Sequence, residues 1–284
     1  MKSLQHKVVV ITGAGGGMGR EMALLAAQRG ARLAISDWNP EALAETVGLL
    51  KAQGEGEVRS DVIDVSDRDA MGAWAQAVVD QFGAVNMVVN NAGVTVTGDF
   101  EDMTYEEFDW IVGVNFLGVV NGTKEFLPHL IASGDGALVN LSSLFGLVSM
   151  PGQSAYNATK YAVRGFTEAI REEMLANRHP VSVTCVHPGG IKTGIARNGR
   201  KTAGQDAAAI DKVFDEKLAR MEPAKAARII LDAAQSGKAR QLVGIDAHLI
   251  HHWAKWTGSF YQDIVAWGSR RVVPAKKNAN APRP

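Results

Sequence analysis

The sequence predicts an α/β fold: a doubly wound parallel sheet of about seven strands with helices on both faces, followed by a C-terminal helical extension. Three observations carry this. Short, largely β-branched apolar runs alternate with longer segments of helical period through the first 245 residues. Most of the runs are continuously apolar, as strands covered on both faces are. A glycine-rich turn, "TGAGGGMG", joins the first run to the first helical segment.

The elements follow in order. "KVVVITG" reads as a strand and residues 18–29 as a helix; "RLAISD" is a strand and residues 40–53 a helix. "VRSDVIDV" is a strand and residues 67–82 a helix; "VNMVVNNAG" is a strand and residues 105–130 are mostly helical. "GALVNLSS" leads into a helix over 154–177, and "VSVTCVHPGG" is the next strand. A helix over 223–235 precedes a last strand, "RQLVG". Right-handed crossovers turn such an alternation into an open, Rossmann-like sheet. With no repeat and no linker in the first 245 residues, one domain is expected over 1–246. A helical extension over 247–270 and a disordered tail over 271–284 complete the division.

The 284 residues are 46% hydrophobic, enough for one substantial core. Thirty Lys and Arg balance 30 Asp and Glu, which argues against a nucleic-acid partner. The one cysteine, Cys185, lies in the apolar run "VSVTCV" and reads as buried filler; it supports no internal disulfide, so a reducing cytoplasm is the expected location. The N-terminal apolar run is too short for a signal sequence, and no apolar window is long enough for a transmembrane helix.

The glycine turn sits where a parallel sheet of this kind holds a pyrophosphate. Gly13, Gly17 and Gly19 are spaced G-x-x-x-G-x-G, which lets the backbone approach a phosphate while helix N-terminal amides receive its charge. Asp37 ends the second strand, 18 residues after Gly19. A carboxylate there can accept hydrogen bonds from ribose hydroxyls and repels a 2′-phosphate, so NAD is favoured over NADP. Arg20 is the nearest basic residue and works against that preference. Asp37 also reads as a helix-start signal before Asn39 and Pro40.

In "SAYNATKYAVRGFTEA", Tyr156 and Lys160 stand four residues apart on a helix and so share a face. A free phenol, with a pKa of about 10, is a poor base at neutral pH. Two unit charges about 4 Å apart at an effective dielectric near 20 interact by about 4 kcal/mol, which lowers a phenol's pKa by up to roughly three. Helped by an oxidised nicotinamide, Tyr156 would exchange a proton with an alcohol or ketone. The alternative for Y-x-x-x-K is an amphipathic helix with a snorkelling lysine. Ser143 ends the fifth strand, 13 residues before Tyr156, where its hydroxyl could hold a substrate oxygen. Ser142 is its rival, and strand alternation turns it to another face.

The chain resembles the short-chain dehydrogenases/reductases. The matching pieces are "TGAGGGMG", Asp37, Asp64–Val65, "NNAG", Asn115 in "GVNFLG", "NLSS", "YNATK" and "HPGGIKT", in order over about residues 5–245. The resemblance implies a catalytic set of Asn115, Ser143, Tyr156 and Lys160. Tyr156 would be the acid/base and Ser143 the carbonyl-oxygen binder. Lys160 would also bind the nicotinamide ribose, and Asn115 would hold a water leading from Lys160 to solvent. It further implies a cofactor cradle of Gly13, Gly17, Met18 and Gly19, with Asp64 and Val65 at the adenine. Asn91, Ala92 and Gly93 would line the fourth strand's end, and Pro188, Gly189 and Thr193 the nicotinamide end. Cofactor NAD (NADP possible), an alcohol or ketone substrate, and a homo-oligomer (dimer or tetramer) follow from the same resemblance.

The chain departs from short family members at its end. It lacks an Asp-Gly-Gly segment at the last strand, which counts against a 3-oxoacyl reductase and against the usual tetramer. Instead Leu249, Trp253, Trp256, Phe260, Ile264 and Trp267 recur at spacings of three and four. This stripe is expected to dock on the chain's own core or a sister subunit; a lid over an apolar pocket and a membrane-surface helix are the other readings. His248, His251 and His252 read as surface histidines, and no metal site is expected. Residues 191–222, a mobile flap in the family, are expected to set the substrate. Arg197, Arg200 and Lys201 there could meet an acidic substrate but read first as a solvated loop. The leading function is interconversion of a secondary alcohol and a ketone on a moderately bulky, apolar substrate. The rivals are a non-catalytic NAD sensor, a 3-oxoacyl thioester reductase, and a scaffold centred on the aromatic tail.

Overall fold

The computed structural model describes residues 1–54, 56–214 and 219–272. The tail over 271–284 expected to be disordered falls almost wholly outside them.

β1 (Val8–Thr12) runs into α1 (Gly17–Gln28), then β2 (Arg32–Asp37) and α2 (Pro40–Ala52). Asn39 starts α2 by accepting a hydrogen bond from the Ala42 amide at 2.8 Å, and Pro40 fits its first turn. β3 (Val58–Val62) is shorter than its sequence run, so Asp64 and Val65 lie beyond it, ahead of α3 (Arg68–Phe82). After β4 (Met87–Asn90) and the short β5 (Val96–Thr97), Thr104 and Glu107 form a reciprocal capping box for α4 (Tyr105–Val112). A single π turn, Gly113–Leu117, joins α4 to α5 (Gly118–Ala132). β6 (Gly136–Leu141), the long α6 (Ser154–Ala176) and β7 (Val181–Pro188) follow. β8 (Arg200–Lys201), α7 (Ala207–Val213), α8 (Pro223–Gln235) and β9 (Arg240–Val243) lead to the extension, α9 (Ile245–Thr257) and α10 (Tyr261–Val272).

Seven strands form one parallel sheet in the order β3-β2-β1-β4-β6-β7-β9. Alternation along β1 feeds two cores. Val9 and Ile11 pack with α1, α2 and α8 on one face; Val8 and Val10 pack with α3, α5 and α6 on the other. Trp74 on α3 meets Phe126 on α5 edge-on, ring centroids 5.4 Å apart. The strand order reverses between β1 and β4, and an open sheet of this kind has its ligand crevice at that point. Across the middle of the sheet, the Asn90 amide donates to Asn140 at 2.8 Å, and Asn140 donates to Thr167 at 3.1 Å. This buried chain of amides ties the ends of β4 and β6 to α6.

β5 and β8 pair in a small second sheet that the sequence did not announce. It folds the segment after β7 back beside the end of β4. The basic cluster there is exposed at Arg197 and Arg200, as a solvated segment is, but Arg200 and Lys201 have partners. The Arg200 guanidinium stacks 4.0 Å above the Trp110 ring and lies 3.8 Å from Glu106, while Lys201 donates to the Ala196 carbonyl at 2.6 Å. The amphipathic stretch "AIDKVFDEKLARM" is α7 in its first part, and residues 215–218 lie outside the described residues.

For the aromatic stripe, one of the two expected docking partners, the chain's own core, is not the one used. The extension rests on the domain through other residues, two of them alanines: Ala247, Ala254, Tyr261 and Val265 pack against Leu144, Phe145 and Val148. The Tyr261 hydroxyl accepts from the Ser149 amide at 3.0 Å. Leu249, Trp256, Phe260, Ile264 and Trp267 are exposed, so the stripe does not dock on the chain's own core. Two alanines at the contact let the helix backbone come close, which the large side chains would prevent.

Candidate active site

The glycine corner is shaped by close approach. Gly13 has φ +66°, and a Cβ there would stand 2.7 Å from the Ala92 Cα. A Cβ on Gly19 would sit 2.0 Å from the Gly13 carbonyl oxygen. Gly17, at φ +53°, lies against the Thr193 methyl, where a Cβ would be 3.1 Å away. These positions need glycine for backbone reasons. Gly16 differs: a Cβ there would meet nothing within 4 Å, so the N-terminus of α1 opens onto a crevice. An open helix N-terminus of this kind can receive an anionic group.

The end of β4 is clamped to this corner. Thr12 Oγ1 accepts from the Asn91 and Ala92 amides at 3.0 and 3.1 Å, and the Asn91 side chain donates to the Thr12 and Gly13 carbonyls. Met18 lies partly buried beside the α1 core. Asp37 accepts from the Gly15 amide at 2.8 Å and from the Asn39 amide at 3.0 Å, which leaves carboxylate lone pairs for further donors. Arg20 is committed elsewhere: it pairs with Glu45 at 2.8 Å and donates to Thr46 and to the Gly15 carbonyl. Asp64 accepts from Ser66, and the Val65 carbonyl accepts from Asn121 at 3.0 Å, so both hold the loop before α3.

At the ends of β6 and β7, Ser143, Tyr156 and Lys160 come together. The Ser143 hydroxyl accepts from the Phe145 amide at 3.1 Å and is hydrogen-bonded with Tyr156. Ser142 turns away, donating to the Lys160 carbonyl at 2.8 Å. The Lys160 ammonium is buried, donates to the Leu141 carbonyl at 3.0 Å, and lies 5.6 Å from the Tyr156 ring centroid. A Cβ on Gly93 would fall between it and Asn115, 3.5 Å from Lys160 Nζ and 3.3 Å from Asn115 Oδ1. The π turn points Asn115 into this centre. Its amide donates to the Val94 carbonyl at 2.9 Å and to Thr159 at 3.3 Å, and its oxygen accepts from the Val94 amide at 2.8 Å. One oxygen lone pair is what its side chain has left for a water.

The electrostatics correct one expectation. Burial pushes the Tyr156 phenol above its ordinary value, and the Ser143 hydrogen bond only partly offsets that. Burial lowers Lys160 to about 8. Among the chain's own groups desolvation wins, because the ammonium lies over the ring, held by Leu141, rather than at the hydroxyl.

Pro188 is buried at the end of β7, and Gly189 meets Asp246, whose carboxylate accepts from the Gly190 amide at 2.7 Å. Asp246 opens α9 and so ties the extension to this end of the site. The sequence carried no signal for that. Nor did it single out His187, fully buried, whose Nδ1 is 2.9 Å from the Ser143 carbonyl. Burial holds His187 down at about 4 against an ordinary 6.5. Below 6.5 the unfolded chain binds a proton that the folded chain refuses, so stability is lost as pH falls from 6.5 towards 4. The loss is at most about 3 kcal/mol. The urea midpoint of His187→Asn should therefore fall less between neutral and acid pH than that of the wild type; an equal fall would assign the acid sensitivity elsewhere.

The short chain dehydrogenase family model matches residues 7–204. A Mycobacterium tuberculosis protein bearing the oxidoreductase name SadH is 51% identical over 277 residues, covering 98% of this chain and all of its own length. The chain belongs to the short-chain dehydrogenase family. It is an oxidoreductase of that family. A crystal structure of a short chain dehydrogenase/reductase from Burkholderia phymatum in complex with NAD superposes with TM-score 0.81 at 27% identity, over 99% of this chain and 100% of that one. The 3-oxoacyl-[acyl-carrier-protein] reductase FabG of Thermotoga maritima is 34% identical over 252 residues, 87% of this chain and 99% of that protein. No helix among the described residues is long and apolar enough to cross a membrane.

Proposed function

We propose that this short-chain dehydrogenase interconverts a secondary alcohol and a ketone, with Tyr156 as the acid/base. The observation that carries this reading is the convergence of Ser143, Tyr156 and Lys160 beside the glycine corner. The nicotinamide, when bound, gives or takes the hydride. Ser143 holds the substrate oxygen, and the Tyr156 hydroxyl takes the alcohol proton or returns it to the ketone. Lys160 binds the nicotinamide ribose and favours the phenolate, and Asn115 holds the water that passes the proton onward. Gly13, Gly17, Met18 and Gly19 receive the pyrophosphate. Asp37 holds the adenosine ribose; Asp64 and Val65 flank the adenine; Asn91, Ala92 and Gly93 line the middle of the cofactor, and Pro188, Gly189 and Thr193 its far end.

The substrate side is apolar. Phe145 stands edge-on to Tyr156 at 6.2 Å, beside the buried Leu144 and Val148. That supports a moderately bulky, apolar alcohol. Likeness to the Thermotoga reductase supports a 3-oxoacyl thioester as the second reading. The reading also includes a reducing cytoplasm, which suits the buried thiol of Cys185, and a dimer or tetramer, for which exposed Phe100, Tyr105 and Leu117 offer surface.

NAD is the proposed partner, since Asp37 ends β2 beside the glycine corner, where it would repel a 2′-phosphate, and Arg20 is held by Glu45. A turnover screen of secondary alcohols, ketones and 3-oxoacyl thioesters with NAD and NADP side by side tests the whole reading. In it, Asp37→Asn should shift the kcat/KM ratio about tenfold towards NADP by removing like-charge repulsion. Cofactor binding without turnover of any of these substrates would favour a redox sensor instead.

A further inference from the structure

The chain after β6 and the chain after β7 form two walls of the site, and one polar residue of the C-terminal extension holds each. Asp246 lies in the first turn of α9, where a helix favours an acid. Its carboxylate accepts from the Gly190 amide at 2.7 Å. The backbone is shaped around it: a Cβ on Gly189, or on Gly244 at φ +108°, would run into that carboxylate. Gly190 is also where the segment after β7 is rooted. Its carbonyl accepts from the Arg220 and Met221 amides at 3.0 and 3.1 Å, and the Lys192 amide donates to the Met221 carbonyl at 2.9 Å. Thr193 then lies against Gly17 of the glycine corner.

The second contact is on the other wall. The loop over 144–150 follows Ser143 and carries Phe145, whose ring stands edge-on to Tyr156. Asn157 on α6 holds this loop from one side. It donates to the Phe145 and Val148 carbonyls at 2.7 and 3.0 Å and accepts from the Met150 amide at 3.2 Å. Tyr261, at the start of α10, holds it from the other. Its hydroxyl accepts from the Ser149 amide at 3.0 Å and is hydrogen-bonded with the Ser149 and Tyr161 side chains. The Tyr261 ring is buried, with Trp253 of α9 edge-on to it at 6.3 Å. Covering the domain needs apolar contact alone. Polar contacts aimed at one backbone amide on each wall fix position as well.

We propose that Asp246 and Tyr261 are positioning residues through which the extension sets both walls of the site. Asp246 acts through the Gly189–Gly190 segment at the nicotinamide end, and Tyr261 through the Ser149 loop at the substrate end. Each wall keeps a second anchor when its contact is lost. The Gly189 amide donates to the Val243 carbonyl at 2.8 Å, and Asn157 still holds the Ser149 loop. The wall then shifts rather than unfolds, so the two residues have separable effects, on cofactor for Asp246 and on substrate for Tyr261. Which end is which rests on the proposed alcohol and ketone chemistry; the two contacts do not.

Steady-state kinetics of the full chain with NAD and a bulky secondary alcohol, with NADH binding followed by fluorescence, test it. Asp246→Ala should raise the KM for NAD and the NADH dissociation constant about tenfold and leave the alcohol KM in place. Asp246→Asn keeps an oxygen for the Gly190 amide and should lose only about threefold, because a charged acceptor bonds about twice as strongly as a neutral one. Tyr261→Phe should raise the alcohol KM about fivefold and leave NADH affinity in place. A lowered melting temperature in both Asp246→Ala and Tyr261→Phe, with KM values and NADH affinity as in the wild type, overturns the proposal. So does an equal shift of cofactor and alcohol constants in both, which would make the extension a general support. A wild type that binds NADH but turns over no alcohol refutes the proposed chemistry instead. NADH affinity, about tenfold weaker in Asp246→Ala and unchanged in Tyr261→Phe, then still decides the positioning.

Discussion

Tyr156→Phe should lower kcat/KM by about a thousandfold, within the range that a lost general acid or base removes. The substitution deletes one oxygen. The ring keeps its edge contact with Phe145 at 6.2 Å and its place under Lys160 at 5.6 Å, so fold and cofactor affinity should be unchanged. Ser143 loses its partner but retains the Phe145 amide at 3.1 Å. Steady-state kinetics on a confirmed substrate, with NADH binding measured separately, checks the expectation. Retained turnover would move the proton transfer to another group. Lost cofactor binding would mean that the phenol serves the cradle instead.

Lys160→Met should weaken both turnover and cofactor binding. A hydrogen bond from a charged donor contributes about 1.5–3 kcal/mol, so cofactor affinity should fall by about ten- to a hundredfold. Turnover should fall further, by about a hundredfold beyond the binding loss, since the phenolate also loses its cation. Methionine fills similar space, and burial already strains the ammonium towards its neutral form at about 8, so the fold should tolerate the change. If turnover fell while cofactor affinity stayed, Lys160 would act on Tyr156 alone; unchanged kinetics would remove it from the site.

The fold was readable because β1, β4 and β6 are mainly apolar runs buried along their length, as a sheet covered on both faces demands. Strand ends were less readable. "VRSDVIDV" and "VNMVVNNAG" continue the pattern past Val62 and Asn90, where the chain turns to hold the crevice rather than the sheet. The i, i+4 spacing of Tyr156 and Lys160 gave their shared face but not the ammonium's aim, which depends on the Leu141 carbonyl, 19 residues away in sequence. The extension was legible as amphipathic, but not which of its sides rests on the chain's own domain. Hydrophobicity orders Trp256 above Ala254; close helix packing prefers the alanine. Arg200 on Trp110 and Asp246 on the Gly190 amide are contacts between distant segments that no local pattern announces.

The chain's own groups leave the Tyr156 phenol above its ordinary value, so the proposed chemistry needs the cofactor's charge to bring it down. Ultraviolet difference titration of the phenol, with Tyr156→Phe as the blank, measures this with and without NAD. Phenolate forming at clearly lower pH when NAD is bound is the expected result. A titration that NAD leaves in place, or moves upward, would contradict Tyr156 as the group that exchanges the proton.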